Sequence, residues 1–359
     1  MKSNFLDRIL RTPKSTAITP PFVMNRCRIP LLFPCALAAF LAVEQVPAQT
    51  DAPAAPRRQH ALIFGIDGCR SDALKLAVET GKAPHIAQLI KSGTVTWTAY
   101  AGGELDKPTQ QDTFSGPGWS SVLTGVWHNK HGVTDNSFRG SNFTRYPNFL
   151  ERFRTSRPEV DVVSLVSWPP INEHLFKPAG ETTRCTCHTY TEADSVAIEK
   201  KLIANTIWSL TSGDPGIVFC YQGNLDHVGH TLGFSPEVPE YMEAIRLSDE
   251  RIGEVLAAVR ARPGFANEDW LFIVVTDHGG IGKVHGGQTP EERIIPLIVS
   301  GGVTPAGLVS DAVVGQTAVP ATVMRHMGVE VLPSWRLDGK AFPEITTSPV
   351  ESPTPAPPK

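Results

Sequence analysis

Three apolar segments of this chain are each followed by acidic or histidine side chains. The segments have the length and composition of buried β-strands, and in an open α/β sheet ligands collect outside the carboxyl ends of the strands. One polar residue after a strand means little, because loops are polar anyway. Three such strand ends, each with a carboxylate and two with histidines, predict a metal site. The segments and the residues that follow them are 61–66 with Asp67, 216–221 with Asp226 and His230, and 270–275 with Asp277 and His278.

The ligand types restrict the metal and its chemistry. Carboxylate and imidazole ligands together suit zinc, manganese or iron better than calcium. With His285 the chain has six candidate ligands, which divide into two sites of three. A catalytic metal typically has three protein ligands and an open position. Two such ions close together hold both the attacking and the leaving oxygen of an in-line phosphoryl displacement.

A hydroxyl nucleophile is available in residues 112–125. Ser115 precedes Pro117 and an apolar segment, and proline is favoured in the first turn of a helix. A helix N-terminus offers free N–H groups to a phosphate, and a hydroxyl activated by a metal there is a nucleophile. The alternative is a serine that only caps the helix. Thr113 is a second, weaker candidate nucleophile.

These motifs together resemble the alkaline phosphatase superfamily, and within it the branch of type I phosphodiesterases and nucleotide pyrophosphatases. The motifs come in the family's order, and the resemblance covers about residues 60–342. The motifs that carry it are Gly-Ile-Asp67-Gly, Ser115-Gly-Pro-Gly-Trp-Ser-Ser-Val-Leu-Thr-Gly125, His131-Gly-Val-Thr-Asp-Asn136, Asp226-His-Val-Gly-His230 and Glu291-Glu-Arg293.

The resemblance implies an alkaline-phosphatase-like α/β fold that usually holds two zinc ions. It implies that Ser115 is the nucleophile and that Asn136 contacts a non-bridging phosphate oxygen. Ser115 would also bridge toward one of the two metals. The implied ligand sets are Asp226, His230 and His285 for one ion, and Asp67, Asp277 and His278 for the other. We therefore expect two divalent ions, zinc first, with manganese or iron as alternatives.

Departures from the family pattern bear on the substrate. The common nucleophile of this branch is threonine, whereas serine is the nucleophile of alkaline phosphatases proper, so a phosphomonoesterase is the alternative. Ser115-Gly-Pro117 also resembles the sulfatase nucleophile segment. That segment needs arginine where this chain has Trp119, and sulfatases have a second aspartate where it has Gly68. Because the sequence shows no cation that we can place at the extra charge of a monoester, we expect phosphodiester or pyrophosphate substrates.

The mechanism expected from these residues runs through a phosphoseryl enzyme on Ser115. One ion lowers the pKa of the hydroxyl, and the other stabilises the leaving oxygen. Asn136 and the backbone N–H after Ser115 hold the equatorial oxygens. The alternative from another class is a non-catalytic exported binding module of the same fold, against which the complete ligand set argues. The expected partner is a small-molecule phosphate ester.

The elements around the site predict its framework. Further strands are expected at residues 160–167 and 294–299, and helices at residues 71–80, 83–92, 192–210 and 239–262. Continuous apolar strands separated by helices indicate a parallel sheet with helices on both faces. We expect a single alkaline-phosphatase-like α/β domain over residues 60–345, with a mostly parallel central sheet.

The chain ends predict export. Residues 1–23 read as an upstream extension before a second methionine, which a wrongly chosen start codon would explain. Residues 24–48 have the basic segment, apolar core and small residues of a signal peptide, with a retained membrane anchor as the alternative. Residues 49–59 read as a linker and residues 346–359 as a Pro-rich disordered tail. The expected location is the periplasm or the medium, with no stable membrane insertion after cleavage.

Composition and cysteines add limits. The formal net charge of −3 does not favour a nucleic-acid binder, which would be basic. After cleavage four cysteines remain, which permit three pairings that the sequence does not separate. A separate metal cluster at Cys185-Thr-Cys187-His188 is disfavoured, because no second cluster of matching spacing exists. The four cysteines are Cys69, Cys185, Cys187 and Cys220.

Several polar and aromatic residues near the motifs receive structural interpretations. His131 is expected to be a framework residue of its turn, and His227 to point away from a metal bound by Asp226. Lys107 and Arg139 are expected on solvated faces. For Trp119 and Trp168 we expect core packing in preference to a leaving-group pocket.

Overall fold

The structure is a computed structural model that describes residues 57–176, 185–189 and 195–344. For residues 185–189 and Ser195 it describes the backbone alone. The upstream extension, the signal peptide, the Pro-rich tail and residues 49–56 of the linker lie outside the described residues. The first strand begins at Arg58, inside the segment predicted as linker, because Arg58 and Gln59 pair with Glu268 and Asp269 of the neighbouring strand.

One eight-stranded sheet organises the described part of the chain. Its strands are β1 (Arg58–Ile66), β2 (Gly93–Tyr100), β3 (Val162–Val166), β4 (Cys185–Thr189), β5 (Ile217–Gln222), β6 (Glu268–Val275), β7 (Ile294–Gly301) and β8 (Leu308–Val309). The spatial order is β4-β3-β5-β1-β6-β7-β2-β8. Every strand runs in one direction except β7, which is antiparallel to both of its neighbours.

The mostly parallel sheet confirms the predicted fold class. β7 is the one antiparallel strand among those described. A parallel neighbour needs a crossover that returns the chain to the other end of the sheet. Residues 276–293, which join β6 to β7, stay at the carboxyl end of β6 and hold only a four-residue helix, Pro290–Arg293. The chain therefore re-enters the sheet from that same edge, in the opposite direction.

All five predicted strands and the four helices predicted with both bounds are present, with ends shifted by no more than three residues. Strands β2, β4 and β8 were not predicted. In β2 the sequence is Gly-Thr-Val-Thr-Trp-Thr-Ala-Tyr, which lacks a continuous apolar run. Two of its threonines, Thr94 and Thr96, are nevertheless buried, and the Thr94 hydroxyl donates to the Pro305 carbonyl at 2.9 Å. Tertiary hydrogen bonds satisfy a pattern that hydrophobicity alone does not mark as a strand.

Helices cover both faces of the sheet. They are α1 (Ser71–Glu79), α2 (Pro84–Lys91), α3 (Ser115–Thr124), α4 (His128–His131), α5 (Phe149–Ser156), α6 (Ser195–Ser212), α7 (Asn224–Leu232), α8 (Pro239–Arg260), α9 (Pro290–Arg293) and α10 (Ala318–His326), with a π-helix at Ile171–Leu175 and 3₁₀ turns at Phe265–Asn267 and Pro333–Trp335. Helices α3, α5 and α10 pack on one face, and α1, α2, α6 and α8 on the other. Among the described residues, no helix combines the length and apolarity needed to span a bilayer.

The central strand β1 shows why its sequence is apolar from Ala61 to Ile66. Ala61 and Ile63 belong to the core under α3, whereas Leu62 and Phe64 belong to the core under α8. Successive strand side chains point to opposite faces, so a stretch covered on both sides favours apolar residues at each position. Asp67 is the first polar residue after this apolar stretch.

Candidate active site

Three neighbouring strands bring the predicted ligands to one edge of the sheet. β5, β1 and β6 are adjacent and parallel, so their carboxyl ends lie side by side. Asp67 directly follows β1, and Asp277 is the second residue after β6. Asp226 and His230 lie on α7, which follows β5, and their i,i+4 spacing places them on the same face of that helix. His285 belongs to the connection from β6 to β7.

The first predicted ligand set converges at the outer part of the site. His230 Nε2 lies 3.0 Å from His285 Nε2. Asp226 Oδ2 lies 3.4 Å from His230 Nε2, and Asp226 Oδ1 lies 3.6 Å from His285 Nε2. The His230 side chain is 44% exposed, whereas that of His285 is 5% exposed. This set therefore borders solvent.

The second set is fully buried. His278 Nε2 lies 3.4 Å from Asp67 Oδ1 and 3.2 Å from Asp277 Oδ2. The His278 and His285 rings stack with centroids 3.7 Å apart, which joins the two sets into one site. Among the described residues, Asp67, Asp277 and His278 form a group whose donor atoms lie close enough to hold one ion.

The spacing of these atoms is close to that of ligands around one ion. Ligands about 2.0–2.2 Å from a tetrahedral zinc ion lie about 3.3–3.6 Å from one another. The five distances given above run from 3.0 to 3.6 Å. The carboxylates and imidazoles are thus close enough together to hold divalent ions.

Each of the three histidines turns its other ring nitrogen toward a backbone carbonyl. A carbonyl oxygen can only accept, so each Nδ1 carries the proton and each Nε2 keeps its lone pair for the site. The pairs are His230 Nδ1 with the Lys283 carbonyl at 3.0 Å, His278 Nδ1 with the Gly279 carbonyl at 2.7 Å, and His285 Nδ1 with the Thr113 carbonyl at 2.9 Å.

Three carboxylate oxygens in the site have no hydrogen-bond partner although they are buried: Asp67 Oδ1, Asp226 Oδ1 and Asp277 Oδ2. Burial raises the pKa of all three carboxyl groups, and the charge of Asp67 raises the pKa of Asp226 and Asp277 further. An unpaired buried charge is costly unless a cation compensates it. The site thus has the charge and the free oxygens that divalent cations would neutralise.

Burial has the opposite effect on the histidines. It lowers the pKa of both His278 and His285 to about 3. Both imidazoles are therefore neutral at neutral pH, which is the state that binds a metal.

Ser115 is the first residue of α3, as predicted, and it does not cap the helix. The cap position belongs to Phe114. The Ser115 hydroxyl instead lies 3.1 Å from His278 Nε2. Gly118 permits this approach, because a Cβ at that position would lie 2.8 Å from Asp277 Cβ.

Thr113, the other candidate nucleophile, is engaged elsewhere. Its hydroxyl donates to the Gly287 carbonyl at 2.8 Å and accepts from the Gly286 N–H at 3.0 Å. These bonds tie the segment before α3 to the loop that carries His285. The hydroxyl has a framework role and is not free to attack.

Asn136 lies beside the start of α3, with a difference from the expected arrangement. Its side-chain oxygen accepts from the Gly116 N–H at 2.7 Å. That N–H was expected to hold a phosphate oxygen directly. Because the loop over residues 135–136 passes so close to α3 that a Cβ at Gly116 would lie 2.5 Å from the Asp135 carbonyl, the N–H meets the amide instead. The exposed amide of Asn136 is thereby oriented by the residue that follows Ser115.

Two contacts to Asp67 were missed by sequence reasoning. The indole N–H of Trp119 donates to Asp67 Oδ2 at 2.9 Å, and the Tyr221 hydroxyl donates to the same oxygen at 2.5 Å. Trp119 was expected only to pack in the core, which it also does. The one available signal for Tyr221 was its hydroxyl near the end of an otherwise apolar strand.

The other nearby residues occupy structural positions. His131 is buried; its Nδ1 accepts from the Val133 N–H, and its Nε2 lies 3.0 Å from the Ser121 hydroxyl. His227 is exposed, as are Lys107 and Arg139. The half-buried Trp168 lies against Phe138, with ring centroids 5.9 Å apart.

The cysteine prediction is partly resolved. Cys69 and Cys220 are buried free thiols, and burial raises the pKa of each, that of Cys220 to about 12. They are therefore inert thiols and are not paired with each other. The side chains of Cys185 and Cys187 lie outside the described residues, so the cluster considered at that segment stays untested.

Solved structures share this fold at low identity. Murine ectonucleotide pyrophosphatase/phosphodiesterase 5 is 14% identical with a TM-score of 0.55, over 77% of this chain and 96% of its own. The phosphonate monoester hydrolase of Agrobacterium radiobacter is 14% identical with a TM-score of 0.54, over 79% of this chain and 76% of its own. A 2-O GAG sulfatase is 12% identical with a TM-score of 0.59, over 79% and 73%.

The likeness to these solved structures shows that the chain has their fold. The sequence model of the family described as type I phosphodiesterase/nucleotide pyrophosphatase matches residues 61–285, more than half of the chain. The chain belongs to this family, which confirms the resemblance seen in its motifs.

Proposed function

We propose that this protein hydrolyses phosphodiester or pyrophosphate bonds at a site for two divalent ions, through a phosphoseryl intermediate on Ser115. One observation carries the proposal: the Ser115 hydroxyl, at the start of a buried helix, lies 3.1 Å from His278 Nε2. His278 in turn lies within 3.4 Å of two unpaired carboxylate oxygens. A cation bound by these groups would lie next to the Ser115 hydroxyl and would favour its deprotonated, nucleophilic form.

The residues fit two ions of the zinc type. Asp226, His230 and His285 would hold the outer ion, and Asp67, Asp277 and His278 the inner one, with Ser115 beside it. When bound, such ions supply Lewis acidity that favours the serine alkoxide and the departing oxygen. Mixed carboxylate and imidazole ligands favour zinc, with manganese or iron as alternatives.

The protein's own groups position the reaction. Ser115 attacks phosphorus from the first turn of α3, where the helix dipole contributes partial positive charge. Asn136 accepts from the Gly116 N–H through its oxygen, which leaves its amide N–H₂ free to donate to a non-bridging phosphate oxygen. The covalent phosphoserine is then hydrolysed by water from the side that the leaving group has vacated.

The charge distribution supports a diester over a monoester. Among the described residues, no arginine or lysine side chain forms a hydrogen bond or ion pair with Ser115, Asn136 or the six candidate ligands. A monoester carries an additional charged oxygen, which needs such a cation. The serine nucleophile, by its likeness to alkaline phosphatases proper, keeps phosphomonoesters as the second candidate.

Local geometry argues against a sulfatase of the calcium type. The residue after Asp67 is Gly68, whose φ is +67°, and a Cβ there would lie 2.9 Å from Asp226 Oδ1. A second aspartate at this position is sterically opposed. Trp119, where sulfatases have arginine, is buried and donates to Asp67.

The proposal includes export by the segment 24–48 and a soluble small-molecule phosphate ester as substrate, without specific nucleic-acid binding. N-terminal sequencing of protein from the periplasm and the medium tests the export. Recovery of the uncleaved chain from the cell interior alone would contradict that part.

A substrate comparison tests the activity. One zinc-loaded sample is assayed with bis-p-nitrophenyl phosphate, p-nitrophenyl phosphate and p-nitrophenyl sulfate. We expect kcat/KM to be highest for the diester and negligible for the sulfate. A higher kcat/KM for the monoester would favour the second candidate function, a phosphomonoesterase. No turnover of any substrate, together with no bound metal, would support a binding module.

A further inference from the structure

The two oxygens of Asp67 have different surroundings. Oδ2 accepts two hydrogen bonds, from the Trp119 indole at 2.9 Å and the Tyr221 hydroxyl at 2.5 Å. Oδ1 accepts none although it is buried, and it lies 3.4 Å from His278 Nε2. Both donors thus satisfy the oxygen that faces away from His278, and they leave the other oxygen free.

The two donors are held against each other. Trp119 and Tyr221 are both buried, and their rings meet edge to face, with centroids 5.1 Å apart and planes at 78°. Gly65, on β1, leaves room for the indole, because a Cβ at that position would lie 2.6 Å from Trp119 Cη2. Neither side chain can rotate without loss of packing, so the direction of each donor is fixed.

The position of Trp119 couples the ligand to the nucleophile. Trp119 lies one turn after Ser115 on the same helix, α3, while Tyr221 lies on β5, next to the strand that ends at Asp67. A hydrogen bond from α3 to Asp67 therefore fixes the distance between the nucleophile helix and the inner ligand set.

We propose that Trp119 and Tyr221 are positioning residues, which hold Asp67 so that it binds the inner ion through Oδ1 alone. Donors on one carboxylate oxygen fix the rotation of the group and reserve the other oxygen for the metal. Groups of this kind that orient a ligand typically change metal affinity by about 10- to 100-fold when they are removed. The inference rests on the proposed metal site.

A purely structural role is the competing explanation. The same two bonds would also stabilise a buried carboxylate that never meets a metal. The two explanations differ in which binding affinity changes. Loss of the positioning of Asp67 lowers the affinity for the inner ion alone, whereas a general loss of stability lowers the affinity for both ions or for neither.

The test is a metal titration of the full chain after removal of metal by a chelator. The variants are Tyr221→Phe, which removes one hydroxyl, and Trp119→Phe, which removes the indole N–H. Tyr146→Phe is the matched control, a buried tyrosine outside the site. Zinc binding is followed by calorimetry, and cobalt binding by its visible spectrum, which reports the coordination of each ion.

We expect the unchanged chain to bind two ions. Tyr221→Phe should lower the affinity for one of the two ions by about tenfold or more and alter the cobalt spectrum of that site alone. The affinity for the other ion, and both affinities of the control variant, should stay unchanged. Since Trp119→Phe also removes core volume, Tyr221→Phe decides the outcome.

Two results would overturn the inference while the proposed function stands. One is a folded Tyr221→Phe variant that binds both ions as the unchanged chain does, and the other is equal weakening of both ions. An unchanged chain that binds no divalent ion would overturn the proposed function, and this inference with it.

Discussion

The Ser115 hydroxyl lies 3.1 Å from His278 Nε2, although 163 residues separate the two positions in the chain. The contact joins the first turn of α3 to the loop that leaves β6. It places a hydroxyl beside the most buried imidazole of the site, whose other nitrogen is held by the Gly279 carbonyl. This contact is the arrangement that the proposed nucleophile and the proposed metal ligand need in order to share one ion.

Replacement of Ser115 by alanine should lower kcat by at least ~10⁴-fold, because the covalent step loses its nucleophile. Metal content should stay near that of the unchanged chain. Ser120→Ala is the matched control: this serine lies on the same helix, and its hydroxyl donates to the Gly116 carbonyl. Steady-state assay with a diester, plus metal analysis, checks both. Retained turnover in Ser115→Ala would rule out the covalent mechanism.

Two histidines on α7 should differ sharply. His230→Ala removes a group 3.0 Å from His285 Nε2. It should weaken the binding of one zinc ion by at least ~100-fold. His227→Ala, three residues away, changes an exposed side chain and should leave both ions in place. Competition with a chromophoric chelator measures each affinity. An equal change in zinc affinity for the two variants would show that His230 is not a metal ligand.

Chelation should destabilise the protein. The site buries three carboxylate oxygens that have no hydrogen-bond partner, and a bound cation would offset their mutual repulsion. Zinc at ~100 times its Kd should raise the free energy of unfolding by about 2.7 kcal/mol for each ion bound. Thermal melting before and after EDTA, and after zinc is restored, measures the change. An identical melting temperature in all three states would contradict metal binding by the folded chain.

Gly118→Ala should destabilise the protein, which is the reverse of the usual effect within a helix. Alanine ordinarily favours a helix by about 1 kcal/mol over glycine. Here the new Cβ would lie 2.8 Å from Asp277 Cβ and 3.0 Å from the Asp277 carbonyl. The overpacking should cost about 1–3 kcal/mol and separate Ser115 from its partners. Urea unfolding and diester kinetics test the two effects, and a more stable, fully active variant would contradict them.

His131 should make stability depend on pH away from the metal site. Burial lowers the pKa of His131 to about 3, with a smaller contribution from the charge of His128. The folded state therefore keeps this imidazole neutral while the unfolded chain takes up a proton near pH 6.5. The stability from the neutral ring is complete above about pH 6.5 and is lost as the pH falls toward 3, by about 1.4 kcal/mol per unit.

His131→Asn should reduce that loss. Between about pH 7 and about pH 5, the unfolding free energy of the chelated variant should fall by about 2 kcal/mol less than that of the unchanged chain. The matched control is His128→Asn, at the other end of the same short helix, which should keep the original slope. Urea unfolding at both pH values measures it, and an equal slope in His131→Asn would show that this imidazole does not stay neutral.

The local sequence determined the elements that carry the ligands. β1, β5 and β6 are apolar over residues 61–66, 217–221 and 270–275 because both faces of each strand are covered there, and the chain changes to polar residues where the strand ends. Asp67 and Asp277 lie at two of those ends, and Asp226 lies on the helix that follows the third. Their convergence followed from the rule that adjacent parallel strands share a carboxyl edge. The motif order was sufficient to recognise the family.

Only the tertiary structure decided which groups touch. The bonds from Trp119 and Tyr221 to Asp67 join positions 52 and 154 residues apart. The Gly116 N–H donates to Asn136 because the loop at Asp135 passes so close to α3 that it leaves no room for a Cβ at Gly116. The reversed direction of β7 likewise depends on where residues 276–293 lie. Periodicity reports how a side chain faces its own strand or helix, whereas contacts between elements depend on how closely those elements pack. The candidate metal-ligand motifs could therefore be recognised in the sequence, and the hydrogen bonds that orient their side chains could not.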